Sequence, residues 1–512
     1  MQSSRTRNAG RNIIYGFLYK IIVLLMPFVL RTVIINYLGK EYLGLNTMFA
    51  SILEVLNMAE LGFSSAMVYS MYKPAAENDT DKINALLNFY KKVYLVIGII
   101  ILISGLIIMP FLPNFIADKS IPGNLNVYLL FFMYLLSIVI SYVTVAYKGS
   151  LFLAFQRVDI STKINGFILL FRYSIQIILI ITTKNYYLNI LMLPIFQIFT
   201  NLIVYFFLKK MYPEYHCSGK LDKKTKKNIR VRVFSLFGHK LSDKVLTSVD
   251  SLMISTFLGL SILAMFDNYN YIQSSVGGLI IIIYTSILPG IGNSVVKESI
   301  EKNKRDFNIL TFTNTWLIGW ASICILCLVQ WFIGNIWLDE SFLFGISTVI
   351  LVPIYFYSYY IRRITLTYKD ALGMWKEDWL KPYIIVLLNI GLNLLLVNLI
   401  GINGILISTI FINFFIAFPW ENIVLFKHYF KEGVLKYFIK QIIYLFIFVG
   451  MGIGMYFLCN IFSFSFLNLI IVGCMLIIIP NLVFIFINIK NEDFIMTKNY
   501  LFEKMKRRRK NE

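Results

Sequence analysis

Apolar residues along this chain gather into fourteen blocks, separated by short polar connections. They run roughly over 12–38, 43–70, 90–115, 125–147, 162–183, 186–208, 233–258, 262–290, 309–333, 342–361, 383–400, 403–426, 437–459 and 466–488. Each reaches or approaches the ~20 residues that a helix needs to cross a hydrocarbon core. Apolar and polar positions do not alternate with period two, so the blocks read as helices and not as strands of a barrel. The predicted fold class is all-α, a polytopic membrane protein with fourteen transmembrane helices. The first block, Asn12 to Leu38, exceeds the apolar core of about 7–15 residues in a cleaved signal, and it reads as a retained span.

Polar residues inside the blocks carry the functional information. Val233 to Gly259 is long enough to span, yet it holds His239, Lys240, Asp243, Lys244 and Asp250. At about 100° per residue these five fall within an arc of roughly 140°. Such a stripe is tolerated in a bilayer only where it faces protein or a water-filled cavity. Lys20 and Arg31 lie about 20° from eclipsed on the first span. The fifth span carries Asn165, Arg172 and Gln176 on one face. Lys20, Arg31, Arg172, Lys240 and Lys244 are therefore the candidate cavity cations. Snorkelling or ion pairing that fixes helix packing is the competing reading of each. Glu54 and Glu60 on the second span, with Asp243 and Asp250 on the seventh, are candidates for charge balance or for carrying a coupling H⁺ or Na⁺. No metal site is expected.

The loops set the orientation. Of the 48 Lys and Arg residues, 40 fall in one alternating set of loops and termini, and 3 in the other. That asymmetry places both termini on the cytoplasmic side. It also accounts for the net charge of +21, which in a soluble domain would suggest nucleic acid. Here the basic tail Lys504 to Lys510 reads as attraction to anionic lipid, and nucleic acid is not an expected partner. With 58% hydrophobic and 15% charged residues, against about 25% charged in soluble domains, a water-soluble fold is excluded.

The longest basic connection, 209–232, separates spans one to six from the rest. A shift of 220 residues aligns Phe17 with Phe237, Lys20 with Lys240, Ile34 with Ile254, and Leu38-Gly39 with Leu258-Gly259. The expected organisation is a six-helix bundle over 1–208, the linker 209–232, and a second six-helix bundle over 233–426. Two further helices and a basic tail occupy 427–512. Six spans per repeat leave both copies in one orientation, related by a pseudo-two-fold axis along the membrane normal, with a substrate site between them.

Catalytic chemistry is not visible. No G-x-x-x-x-G-K-[ST] motif is present, which argues against direct ATP hydrolysis, and no cofactor is expected. Cys324 and Cys327 form a C-x-x-C inside WASICILCLVQW, without His or acidic neighbours, and read as packing residues. The loops of the less basic set are short, with no room for an outer catalytic domain. A membrane glycosyltransferase or polysaccharide polymerase is thereby disfavoured.

Several stretches carry a resemblance: VIINYLGKEYLGLNTMF, AYKGSLFLAFQRVD, VDSLMISTFLG and NIGLNLLLVNLIGINGILISTI. With the fourteen spans and the two six-span halves, the chain resembles the polysaccharide repeat-unit flippases of the multidrug/oligosaccharidyl-lipid/polysaccharide exporter superfamily. The resemblance implies a V-shaped transporter whose two bundles enclose a cationic cavity. It implies movement of undecaprenyl-pyrophosphate-linked oligosaccharide from the inner to the outer leaflet of a bacterial cytoplasmic membrane. The drive would be an ion gradient or the membrane potential, and polysaccharide polymerase machinery would be a partner. The alternatives are a multidrug/cation antiporter and a peptidoglycan lipid-precursor flippase of the same superfamily. A cationic drug would favour an acidic cavity, so five cations in the spans weigh against the antiporter.

Overall fold

The computed structural model describes residues 2–60, 62–117, 121–122, 125–144, 146–374 and 376–500; among these, the side chains of 2–14, 17, 59, 146, 232, 234–244 and 289 lie outside the description. Among the described residues the regular structure is entirely helical. The chain forms two compact units, Met1–Ala264 and Met265–Glu512.

The first unit contains α1 (Gln2–Tyr37), α2 (Lys40–Leu56), α3 (Phe63–Glu77), α4 (Thr80–Ile108), α5 (Val127–Val143), α6 (Ser150–Ala154), α7 (Val158–Thr183), α8 (Tyr186–Met211), α9 (Lys223–Leu258) and the start of α10 (Leu260–Lys297). Local chemistry sets several starts. The side chains of Asp79, Asn126, Asn185 and Asp222 accept backbone N–H groups at the starts of α4, α5, α8 and α9. These groups would otherwise lack partners. Within the unit α1 packs on α7, α7 and α5 on α8, and α9 on α2. The seventh expected span, α9, thus lies in the first unit.

Two glycines that the 220-residue shift aligns have similar backbone angles. Gly39 ends α1 with φ 118° and ψ 165°, and Gly259 ends α9 with φ 91° and ψ 170°. Few residues other than glycine adopt such angles, so each Leu-Gly pair breaks one long helix from the next.

The second unit continues α10 and adds α11 (Ile300–Trp331), α12 (Ile346–Tyr360), α13 (Arg363–Leu372), α14 (Lys381–Ile400), α15 (Ile402–Phe411), α16 (Phe418–Leu425), α17 (Leu435–Cys459) and α18 (Phe466–Asn488). Short π-helical stretches follow α11, α15 and α16, at Phe332–Trp337, Ile412–Ala417 and Phe426–Phe430. The last two spans pack on α11, and Trp316 of α11 donates its indole N–H to Asn481 of α18 at 2.7 Å. At the α14–α15 corner a Cβ on Gly404 would meet the backbone carbonyl of Leu396. Gly404→Ala is expected to destabilise by about 1–3 kcal/mol, because backbone cannot give way as a flexible side chain can. Thermal unfolding of the purified variant in lipid measures it, and an unchanged midpoint refutes the packing argument.

All fourteen expected spans fall on helices, but they are not all continuous crossings. Ten helices among the described residues are long and apolar enough to span, or eleven if the bent α5–α6 pair is one span. The three others are α9, the 15-residue α12 and the second span. That second span, expected over 43–70, is broken. A 3-10 turn occupies Asn57–Glu60, and Gly62 sits in the left-handed region with φ 85°. Apolar count alone cannot show a break that tertiary hydrogen bonds satisfy.

Large apolar side chains cover the outside of the helices, as a lipid-facing surface requires. Phe167, Leu399 and Phe486 are all 70% exposed or more. The protein is a multi-pass membrane protein.

Candidate functional site

Arg172 lies on α7, facing the region where α7 packs on α1. Its guanidinium lies over the Tyr173 ring, 4.9 Å from the centroid, and its charge acts on Tyr19 of α1 and Tyr134 of α5. The Arg172 Nε is buried and has no hydrogen-bond partner among the described residues. A buried donor without an acceptor costs about 1–3 kcal/mol, so this atom is a ready contact for an anion. Gln176, four residues on, is engaged elsewhere: its amide donates to the Asn189 carbonyl of α8 at 3.0 Å. Asn165 bonds within its own helix, to Ser161 at 3.5 Å.

The other expected cations divide. Lys20 is exposed and Arg31 half-buried on α1. Lys240 and Lys244 belong to α9, but their side chains lie outside the described residues, as does that of Asp243. Asp250 of α9 is 1% exposed and sits at the buried face of that helix.

The two acids of the second span have different surroundings. Glu54 accepts from Ser248 of α9 at 3.3 Å, tying α2 to α9. Glu60 lies in the break of the span and is held by tyrosines. Tyr94 of α4 donates to its Oε1 at 2.6 Å, and Tyr90 donates to Tyr94 at 2.9 Å. Tyr142 of α5 lies 3.2 Å from Oε2 and also hydrogen-bonds Asn57 Oδ1.

Sequence reasoning missed a buried charge network in the second unit. Arg362, just after α12, forms a two-pronged pair with Glu421 of α16, Nε to Oε2 at 3.0 Å and the second amino group to Oε1 at 2.7 Å. Its third nitrogen donates to Asn413 at 2.7 Å. Lys381 donates to Glu421 at 2.6 Å and lies 3.3 Å from Asp378, which also receives Lys369. All five charged groups are at most 3% exposed. The residues 362–381 read as a solvated basic loop, because their composition is that of one. The available signal was Glu421 itself, a lone carboxylate inside the apolar run FFIAFPWENIVLF. Two π-helical stretches flank it, and such stretches recur where a helix is re-aimed for a specific contact.

The second unit also has an apolar groove of about 370 Å³, lined by Ile384, Phe415, Ile416, Pro419, Trp420, Ile423 and Val424. Cys327 of the C-x-x-C, a free cysteine of α11, hydrogen-bonds the free thiol of Cys459 on α17.

The profile of the polysaccharide biosynthesis protein family matches residues 9–295, more than half of the chain. The chain belongs to that family. Solved structures share its fold. The lipid II flippase MurJ, in an inward closed conformation, is 16% identical with a TM-score of 0.62; the match covers 93% of this chain and 99% of MurJ. An inward-facing multidrug resistance MATE transporter of the MOP superfamily is 13% identical at TM-score 0.57, covering 78% of this chain and 97% of its own. A Vibrio cholerae MATE transporter is 14% identical at TM-score 0.54, over 84% and 99%. No curated protein matches. Membership and fold agree with the family resemblance carried by the sequence motifs.

Proposed function

We propose that this family member flips undecaprenyl-pyrophosphate-linked oligosaccharide repeat units across the bacterial cytoplasmic membrane, from inner to outer leaflet. The observation that carries the reading is Arg172: a membrane-embedded guanidinium whose buried Nε has no partner among the described residues. A pyrophosphate is doubly anionic and rich in acceptor oxygens, and guanidinium groups bind such oxygens by charge-assisted bonds. Lys20, Arg31, Lys240 and Lys244 complete the proposed headgroup path. Glu54, Glu60, Asp243 and Asp250 balance that charge or couple transport to an ion gradient. The glycan, which cannot cross hydrocarbon unaided, travels with the pyrophosphate. The polyprenyl tail stays among lipids. Both termini then face the cytoplasm, where the basic loops meet anionic lipid.

Reconstitution tests this. Purified protein in liposomes is expected to exchange a lipid-pyrophosphate oligosaccharide between leaflets, measured by the accessibility of the glycan to an external lectin. Exchange of the peptide-bearing peptidoglycan precursor in preference to glycan-only carriers would reassign the substrate. Efflux of cationic drugs with no lipid exchange would overturn the flippase reading.

A further inference from the structure

The apolar groove of the second unit lies where two spans meet the membrane surface. Lys381 starts α14, and α16 with the turn to Phe430 ends its span. Trp379, two residues before α14, is 61% exposed, and tryptophan in such a place marks the level of the lipid headgroups. The groove has a structural cause. α14 packs on α15 and on the π-helical stretch Ile412–Ala417, whereas α16, with Pro419 in its first turn, packs on α13. A wide turn followed by a proline re-aims a helix. Lys381 of α14 then meets Glu421 of α16 at 2.6 Å, so a buried ion pair braces the two walls.

Two properties say what fills it. Ile384, Phe415, Ile416 and Ile423 present hydrocarbon only, and Phe415 and Ile423 are exposed. From Phe415 to Val424 the groove follows its helix for roughly 13 Å. That is close to the depth of one leaflet, half of a hydrocarbon core of about 30 Å, and matches the reach of one acyl chain. The polar end is basic. Trp420, Ile423 and Lys427 follow one another at spacings of three and four, which puts Lys427 on the groove's face, one turn nearer the surface. Lys427 is exposed and makes no ion pair among the described residues. Lys376, in the segment leading to α14, is exposed as well, beside Glu377.

We propose that this groove binds an anionic glycerophospholipid, with one acyl chain along Ile384 and Ile423 and the headgroup phosphate on Lys427. An ammonium holds a phosphate oxygen by a charge-assisted bond, and basic positions between membrane helices select anionic headgroups. A polyprenyl carrier lipid matches less well, because its chain far exceeds the length of the groove. The site goes beyond the transport reading and does not depend on it.

The test uses the fluorescence of Trp420, which lines the groove. Full-length protein is placed in phosphatidylcholine vesicles doped with phosphatidylglycerol whose acyl chains carry bromine, a quencher of neighbouring tryptophans. The difference between wild type and Trp420→Phe isolates the Trp420 signal. That signal is expected to be half-quenched at a mole fraction of brominated phosphatidylglycerol about fivefold lower than of brominated phosphatidylcholine. Lys427→Glu is expected to abolish this preference. Equal quenching by the two lipids overturns the proposal and leaves ordinary lipid contact only. A preference that survives in Lys427→Glu overturns it too. So does relief of quenching by a polyprenyl phosphate at a lower mole fraction than unlabelled phosphatidylglycerol, which would assign the groove to the carrier. If Trp420→Phe does not fold, the total fluorescence of wild type and Lys427→Glu, altered only at an exposed residue, decides by the same criteria. None of these readouts requires transport, so a protein that prefers phosphatidylglycerol yet exchanges no lipid-linked oligosaccharide overturns the proposed function and leaves this site standing.

Discussion

Arg172→Ala is expected to abolish surface polysaccharide in cells and to reduce liposome exchange of lipid-linked oligosaccharide by roughly 10- to 100-fold, with protein levels unchanged. The size follows from removing a charge-assisted bond worth about 1.5–3 kcal/mol. The unchanged level follows from geometry. The guanidinium makes no ion pair among the described residues, and its Nε has no acceptor, so little native bonding is lost with it. Its guanidinium lies over the ring of Tyr173 at 4.9 Å, and its charge reaches Tyr19 and Tyr134. Arg172→Lys is expected to recover only part of the activity, since an ammonium keeps the charge but not the planar fork. Lys240→Ala is expected to behave like Arg172→Ala. Quantified polysaccharide, with immunoblots for protein, checks all three. Normal polysaccharide in both alanine variants would remove pyrophosphate binding from these residues.

Glu421→Ala is expected to have the largest effect on stability, about 3–5 kcal/mol. The carboxylate is fully buried and receives Arg362 twice and Lys381 once. Without it, two buried cations face each other across the space its carboxylate filled, Arg362 keeping Asn413 and Lys381 keeping Asp378. Thermal unfolding in lipid measures the loss, and low accumulation in cells should accompany it. Glu421→Gln keeps the shape and one acceptor oxygen, and is expected to lose less. An alanine variant as stable as wild type would show that the buried pair contributes nothing. The contrast with Arg172 separates the two kinds of intramembrane charge. Both oxygens of Glu421 are engaged by cations and hold helices together, whereas the Nε of Arg172 has no acceptor among the described residues.

Glu60 shows where sequence reasoning reached its limit. Its position in an apolar block marked it as costly, and therefore as a candidate. Nothing local indicated that three tyrosines, from helices far along the chain, would converge on it. The same holds for Arg362 and Glu421, which are 59 residues apart. Composition assigned one to a loop and passed over the other. Gly39 and Gly259 were different, because the motif Leu-Gly at a 220-residue spacing already marked two equivalent helix ends, and both have the backbone angles that glycine permits.

By itself, the sequence determined the class, the helical blocks and the family. Each of these depends on the cost of exposing backbone and charge to hydrocarbon, which acts on every residue where it stands. The tertiary structure decided which charges are satisfied. It broke the second span at Glu60, paired Arg362 with Glu421, and left the Arg172 Nε without an acceptor among the described residues. Those outcomes depend on which side chains from distant segments arrive within about 3 Å of one another, and spacing along a single helix carries no record of that.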